Sequence, residues 1–161
     1  MIGVFTRALI PEVVMRICHA QATDLAQIKA LLEANHLPSA DITEQHLERF
    51  LILHDVDGTV MASVGLERFS EGALLRSLVV AEGFQNAGLG RFLTDRAEQM
   101  AIDDGCVQLW LLTTTAQGFF LKRGYHAIER SSVPEDVRRS QEFSQLCPAS
   151  AVCMTKQFHT S

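Results

Sequence analysis

The chain has 161 residues, 47% of them hydrophobic, and a formal net charge of −5, which is the size of one domain with its own core. Nucleic-acid binding needs clustered cations, and with Arg138-Arg139 as the densest basic pair no nucleic-acid partner is expected. No stretch approaches the roughly 20 apolar residues that span a bilayer, so no membrane partner is expected either.

Residues 1–14 lack the long apolar run and small-residue cleavage site of a secretion signal. They read as an N-terminal extension of undecided status before a single domain over 15–161, and the protein reads as cytoplasmic. Thr23 or Asp24 can cap a helix whose Leu25, Ile28, Leu31 and Leu32 share a face, ending near Asn35 ahead of Pro38. A second short helix is expected over Thr43 to Glu48. Phe50 to His54 and Val60 to Leu66 flank Asp57-Gly58, a strong hairpin signal, and a second hairpin through Ser70-Glu71-Gly72 leads into a strand ending at Val80.

Leu89, Phe92, Leu93, Ala97, Met100 and Ala101 recur at helical spacing. Val107 to Leu112 reads as a strand that pairs in parallel with the one ending at Val80, across that helix. Pro134, Glu135 and Asp136 open a further helix, and Ser150 to Phe158 closes the sheet. There Ser150, Val152 and Met154 share one face, with Ala151 and Cys153 on the other. The fold class is therefore α/β with a mixed sheet. Four cysteines, Cys18, Cys106, Cys147 and Cys153, form no Cys-x-x-Cys pair and no ligand spacing with histidine, so reduced thiols and no metal are expected.

Leu78-Val79-Val80-Ala81-Glu82-Gly83-Phe84-Gln85-Asn86-Ala87-Gly88-Leu89-Gly90-Arg91 carries the most chemistry. It reads as a buried strand, a Gln-x-x-Gly-x-Gly turn and a helix start. The first amides of a helix have no intrahelical acceptor and sit at the positive end of its dipole, so a pyrophosphate can rest there without a cation for each charge. The Gly-x-Gly-x-x-Gly of dinucleotide folds and the Gly-Lys-Ser/Thr of a P-loop are both missing. An ordinary strand-to-helix turn is the alternative.

This turn resembles the first coenzyme A motif of the GNAT N-acetyltransferases, written Gln/Arg-x-x-Gly-x-Gly/Ala. Thr115-Ala116-Gln117-Gly118-Phe119-Phe120-Leu121-Lys122-Arg123-Gly124-Tyr125 resembles the family's next helix and its closing Gly-aromatic pair. The resemblance runs from about Met15 to Phe158, with Met15 to Ala20 as the first strand. It implies a GNAT fold: a central, mostly antiparallel sheet of six to seven strands, splayed at the acetyl-CoA site, with helices on both faces. It also implies acetyl-CoA as cosubstrate, held by Gln85, Asn86, Ala87, Gly88, Leu89, Gly90 and Arg91, with the pantetheine along Leu78 and Val80 and near Thr113, Ala116 and Phe120. The Val80 N–H would polarise the acetyl carbonyl.

Glu67, at the end of an apolar strand, is the candidate base that accepts a proton from the attacking amine, directly or through water. It can equally serve as an ion-pair partner of Arg68 or Arg76. His54 and Glu71 are weaker candidates beside turns. Many members place a proton-donating Tyr where this chain has Phe120, and an Asn where it has Thr113, so Thr113, Thr114, Thr115, Tyr125, water or the new ammonium must supply the proton. Arg76, inside a buried strand, must be paired: it holds either an anionic group of the acceptor bidentately or Glu67 across the strands. In this family the connection between the first two helices helps form the acceptor pocket, which places His36 there, with Asn35 and His46 nearby.

Gly65-Leu66-Glu67-Arg68-Phe69, Leu111 to Ala116 and Leu146 to Met154 resemble the arsenic-resistance N-acetyltransferases. That implies a small amino acid or glutamate-like toxin as acceptor, and a homodimer joined through final strands. A catalytically degenerate coenzyme A-binding module is one alternative. A metalloid binder using Cys147 and Cys153 is another, against which stands their reading as buried small hydrophobes.

Overall fold

The computed structural model describes residues 4–7, 14–146 and 148–159. Among the described residues eight strands hydrogen-bond in the order β1-β2-β3-β4-β5-β6-β8-β7. They are β1 (Val4–Arg7), β2 (Val14–His19), β3 (Phe50–His54), β4 (Val60–Arg68), β5 (Ala73–Val80), β6 (Gln108–Thr113), β7 (His126–Ala127) and β8 (Val152–Gln157). The helices are α1 (Leu25–Ala34), α2 (Leu89–Asp103), α3 (Gln117–Lys122) and α4 (Glu135–Arg138). The expected mixed α/β architecture is present, with β1 as a further edge strand. The chain divides into two compact units, one running through Leu66 and including Ser77–Glu98, the other made of Glu67–Arg76 and Gln99 onward.

In the first unit β1, β2, β3 and β4 pair antiparallel in succession. Ile28 and Leu32, one helical turn apart on α1, are fully buried against Cys18 of β2, Phe50 and Ile52 of β3 and Val79 of β5. Each such side chain contributes about 1.5–3 kcal/mol by leaving water. The Asp24 carboxylate caps this region by accepting the Gln21 N–H at 2.8 Å. The helix expected over Thr43 to Glu48 is instead a 3₁₀ turn at His46–Arg49. Bonds from His46 N–H to Thr43 C=O and from Leu47 N–H to Glu44 C=O tighten it, and the Thr43 N–H is taken by His46 Nδ1.

The Asp57-Gly58 hairpin forms as expected. Asp55 Oδ1 accepts the N–H groups of Asp57 and Thr59, and Gly58 takes the positive φ of 83° that the turn requires. β5 contains a less ordinary feature, because Ser77 is buried with φ 58°. Its carbonyl is held by the Ser63 hydroxyl at 2.7 Å, which stabilises a backbone conformation that L-residues adopt at a cost.

In the second unit β5 and β6 pair in parallel at Ala73↔Leu109 and Leu74↔Trp110. β6 then continues to Thr113 along antiparallel β8. Leu74, Trp110, Val133, Val137, Phe143 and Cys153 form its core. The helix expected to open at Pro134 is a single turn, α4, followed by a π turn at Glu142–Leu146. No helix of the described residues is long and apolar enough to cross a membrane.

Three helices end in the same way. In α2 the N–H of Gly105 bonds Ile102 C=O and that of Cys106 bonds Ala101 C=O; in α3 Gly124 bonds Leu121 and Tyr125 bonds Phe120. Both glycines have positive φ, the Schellman arrangement. In α1 the same two bonds run from His36 to Glu33 and from Leu37 to Leu32, with His36 at φ 59° in the glycine position.

Candidate functional site

The turn between β5 and α2 is built by its own sequence. Gly83, Asn86 and Gly88 take φ values of 91°, 69° and 80°, which glycine adopts freely and Asn tolerates better than most residues. Ala87 and Leu89 are buried and anchor the turn, while Gln85, Asn86, Gly88 and Arg91 stay exposed. The first intrahelical bond runs from Phe92 N–H to Gly88 C=O at 3.0 Å. The amides of Leu89, Gly90 and Arg91 therefore lie ahead of the intrahelical ladder, at the positive end of a 15-residue helix. Farther along, Thr94 returns its hydroxyl to Gly90 C=O at 2.8 Å, and Leu89, Leu93, Ala97 and Ala101 form the buried stripe.

Gln85 has a defined task, since its Nε2 donates to Val80 C=O at 3.0 Å and closes the turn onto the strand end. Ala81 N–H donates to Met61 C=O on β4 at 2.8 Å. Successive residues of a strand turn their amides to opposite edges, so the Val80 N–H points away from β4. Leu78 and Val80 are half-buried.

Thr113, at the end of β6, accepts the Ala116 N–H on its hydroxyl at 2.9 Å and so organises the entry to α3. Phe120 is 4% exposed, with Phe119 and Tyr125 edge-on at centroid distances of 5.0 and 5.4 Å. Tyr125 is buried under Lys156 Nζ, 5.5 Å from its ring centroid. The Gly-aromatic pair is thus a helix stop: Gly124 supplies the left-handed residue and Tyr125 packs back on Phe120.

Glu67, Arg76 and Glu142 come together. The Arg76 side chain is 0% exposed, with Nη1 3.3 Å from Glu67 Oε1 and Nε 3.4 Å from Glu142 Oε1. Glu67 is 22% exposed at its side chain and Glu142 6%. Of the two readings of Arg76, the ion pair is the observed one. Glu142 adds a second carboxylate to the Glu67 pair. Arg68 is engaged elsewhere: it pairs with Asp104 at 3.3 Å and donates to the carbonyls of Phe69 and Gly72 and to Cys106 Sγ. Glu142 was not legible in the sequence, because Arg138-Arg139-Ser140-Gln141-Glu142 reads as a solvated polar run.

His36 is exposed and ends α1. His54 Nδ1 bonds the backbone carbonyl of Asp55 at 2.9 Å, which is local turn chemistry, and Glu71 is exposed. Cys153 is buried, which pushes its thiol up to about 11, and burial also raises Cys18. Desolvation thus disfavours the thiolate at both positions. Cys147 lies outside the described residues.

Residues 19–125 match the Acetyltransferase (GNAT) family. The chain belongs to the GNAT family of acetyltransferases. This places it among the acyltransferases. An uncharacterized N-acetyltransferase of Chlorobaculum tepidum is 31% identical to this GNAT protein over 110 residues, 68% of each chain. The fold is similar to that of N-acetylglutamate synthase from Neisseria gonorrhoeae, solved with coenzyme A and N-acetyl-glutamate. The TM-score is 0.77 at 24% identity, covering 91% of this chain and 35% of that one. The chain thus spans about a third of the synthase. Rv2747 from Mycobacterium tuberculosis, solved in complex with CoA, gives a TM-score of 0.74 at 21% identity over 89% of this chain and 99% of that one.

Proposed function

We propose that this GNAT protein is an acetyl-CoA-dependent N-acetyltransferase acting on the amine of a small amino acid or glutamate-like toxin, in an arsenic-resistance setting. The observation that carries the reading is the turn at Gly83–Gly88, which leaves the Leu89, Gly90 and Arg91 amides unused by the helix. A pyrophosphate accepts from such amides, and the exposed glycine at position 88 lets it approach the backbone. The glutamate-like acceptor is supported by the resemblance of three sequence segments to arsenic-resistance enzymes, and by a similarly folded synthase solved with N-acetyl-glutamate.

In this mechanism the pantetheine follows Leu78 and Val80. The Val80 N–H, aimed away from β4, donates to the acetyl oxygen as it gains charge. Glu67 accepts the proton of the attacking ammonium, directly or through water; among Glu67, Arg76 and Glu142 its carboxylate side chain is the most exposed. The amine adds to the thioester carbonyl, the C–S bond breaks, and the coenzyme A thiolate takes a proton from water, directly or relayed through the Thr113 hydroxyl, which regains its proton from that water. That hydroxyl already accepts from Ala116 and keeps its own O–H to donate. The protein is cytoplasmic in this reading and associates as a homodimer. Phe120, buried where many relatives have a proton-donating Tyr, favours the second reading, a module that binds coenzyme A without turnover.

The test is thiol release from acetyl-CoA with phosphinothricin, arsinothricin, glutamate or a polyamine as acceptor. The amino-acid reading expects release with the glutamate-like acceptors alone, and a Gly88→Val variant with a raised KM for acetyl-CoA. Tight coenzyme A binding with no release from any acceptor establishes the second reading instead.

A further inference from the structure

Burying a carboxylate is costly unless it is paired, and a buried ion pair is often no more stabilising than apolar residues of similar volume. One carboxylate would balance Arg76, and Glu67 supplies it. The chain nevertheless encloses a second, Glu142, against the same guanidinium. Neutralising Arg76 therefore does not account for Glu142.

The segment carrying Glu142 is firmly held. The Ser140 hydroxyl donates to Val137 C=O at 2.7 Å and accepts the Phe143 N–H at 3.3 Å, and Ser144 N–H returns to Ser140 C=O at 2.9 Å. Arg130 lies over the Phe143 ring at 5.6 Å and donates to the carbonyls of Pro148 and Ala151. Glu142 opens the π turn, a rare geometry that recurs at functional sites. Glu142 faces Nε and Glu67 faces Nη1, so one end of a planar guanidinium is fixed while the other presents a donor to the partly exposed carboxylate.

We infer that Glu142 is a positioning residue, which acts through Arg76 to hold the Glu67 carboxylate where it receives the acceptor's proton. This rests on the reading of Glu67 as the base. Without Glu142 the guanidinium loses its anchor, and both it and Glu67 sample other rotamers. Misplacement by about an ångström is enough to slow chemistry about a hundredfold.

The experiment is a kinetic cycle of Glu142→Gln, Glu67→Gln and the double variant. It uses the acceptor that gives the fastest thiol release, or water where no amine is faster. Glu142→Gln is expected to lower kcat about 10- to 100-fold with the KM for acetyl-CoA within about twofold of wild type. The double variant is expected to be no slower than Glu67→Gln alone, since the effect passes through Glu67. Glu142→Asp, which keeps the charge, recovers part of the rate and stands in the cycle if Glu142→Gln does not fold. Multiplying losses, or a wild-type kcat for Glu142→Gln beside a slow Glu67→Gln, overturns the positioning role alone. A wild-type kcat for Glu67→Gln overturns the base and the positioning role together, and leaves acetyl transfer itself standing.

Discussion

Arg76→Met removes the cation between two carboxylates and keeps a side chain of comparable reach. Breaking a buried pair by deleting one partner costs about 3–5 kcal/mol, because the other charge stays desolvated. Glu142, with 6% side-chain exposure, falls under that figure, whereas Glu67, with 22%, remains partly hydrated and adds at most about 1 kcal/mol. The expected loss is about 4 kcal/mol. For a chain of this length each kcal/mol moves Tm by about 2–4 °C, so thermal unfolding followed by far-ultraviolet circular dichroism is expected to show a fall of about 8–16 °C. The double variant Arg76→Met/Glu142→Leu removes the Glu142 carboxylate as well and is expected to recover more than half of the loss. A loss below about 1 kcal/mol for Arg76→Met, or a double variant less stable than the single, would refute a desolvated ion-pair trio.

His36→Gly is expected to raise stability by up to about 1 kcal/mol in urea unfolding, because relief of a left-handed non-glycine residue outweighs the added freedom of the unfolded chain; unchanged acceptor KM would confine His36 to ending α1. A Cβ on Gly72 would stand 2.2 Å from the Gln108 carbonyl oxygen, and one on Gly65 2.3 Å from the Phe50 ring. Gly65→Ala is expected to cost about 1–3 kcal/mol, and Gly72→Ala more, since backbone cannot swing aside; equal losses would contradict this ranking. Cys153 has its folded-state pKa raised from 9.0 to about 11. The stability linked to its proton is therefore complete below pH 9 and is lost as pH rises through about 11, by about 2–3 kcal/mol. Cys153→Ala lacks that loss, so the stability gap between wild type and variant is expected to shift in the variant's favour over this interval in unfolding titrations.

Much of the fold was legible because its signals are local. Asp57-Gly58 marks its hairpin through turn chemistry, α2 declares itself in the spacing of Leu89, Leu93, Ala97 and Ala101, and the glycine-rich turn follows from residues that tolerate positive φ. The segment from Thr43 to Glu48 departs from the expected helix as its Thr43 N–H is taken by the His46 ring, which no propensity conveys. His36 takes a glycine's place at the end of α1, and a histidine carries no sign of that in the sequence.

By itself the sequence determined the strand, turn and helix around Gly88, since backbone conformations there are selected by residues within a few positions of one another. Only the tertiary structure decided the partners of Arg76. Glu67 and Glu142 lie on separate segments, one on β4 and the other on a π turn after α4. A buried charge is satisfied by whatever the folded chain carries to within about 4 Å, and that distance is set by strand pairing and core packing, not by spacing along the chain.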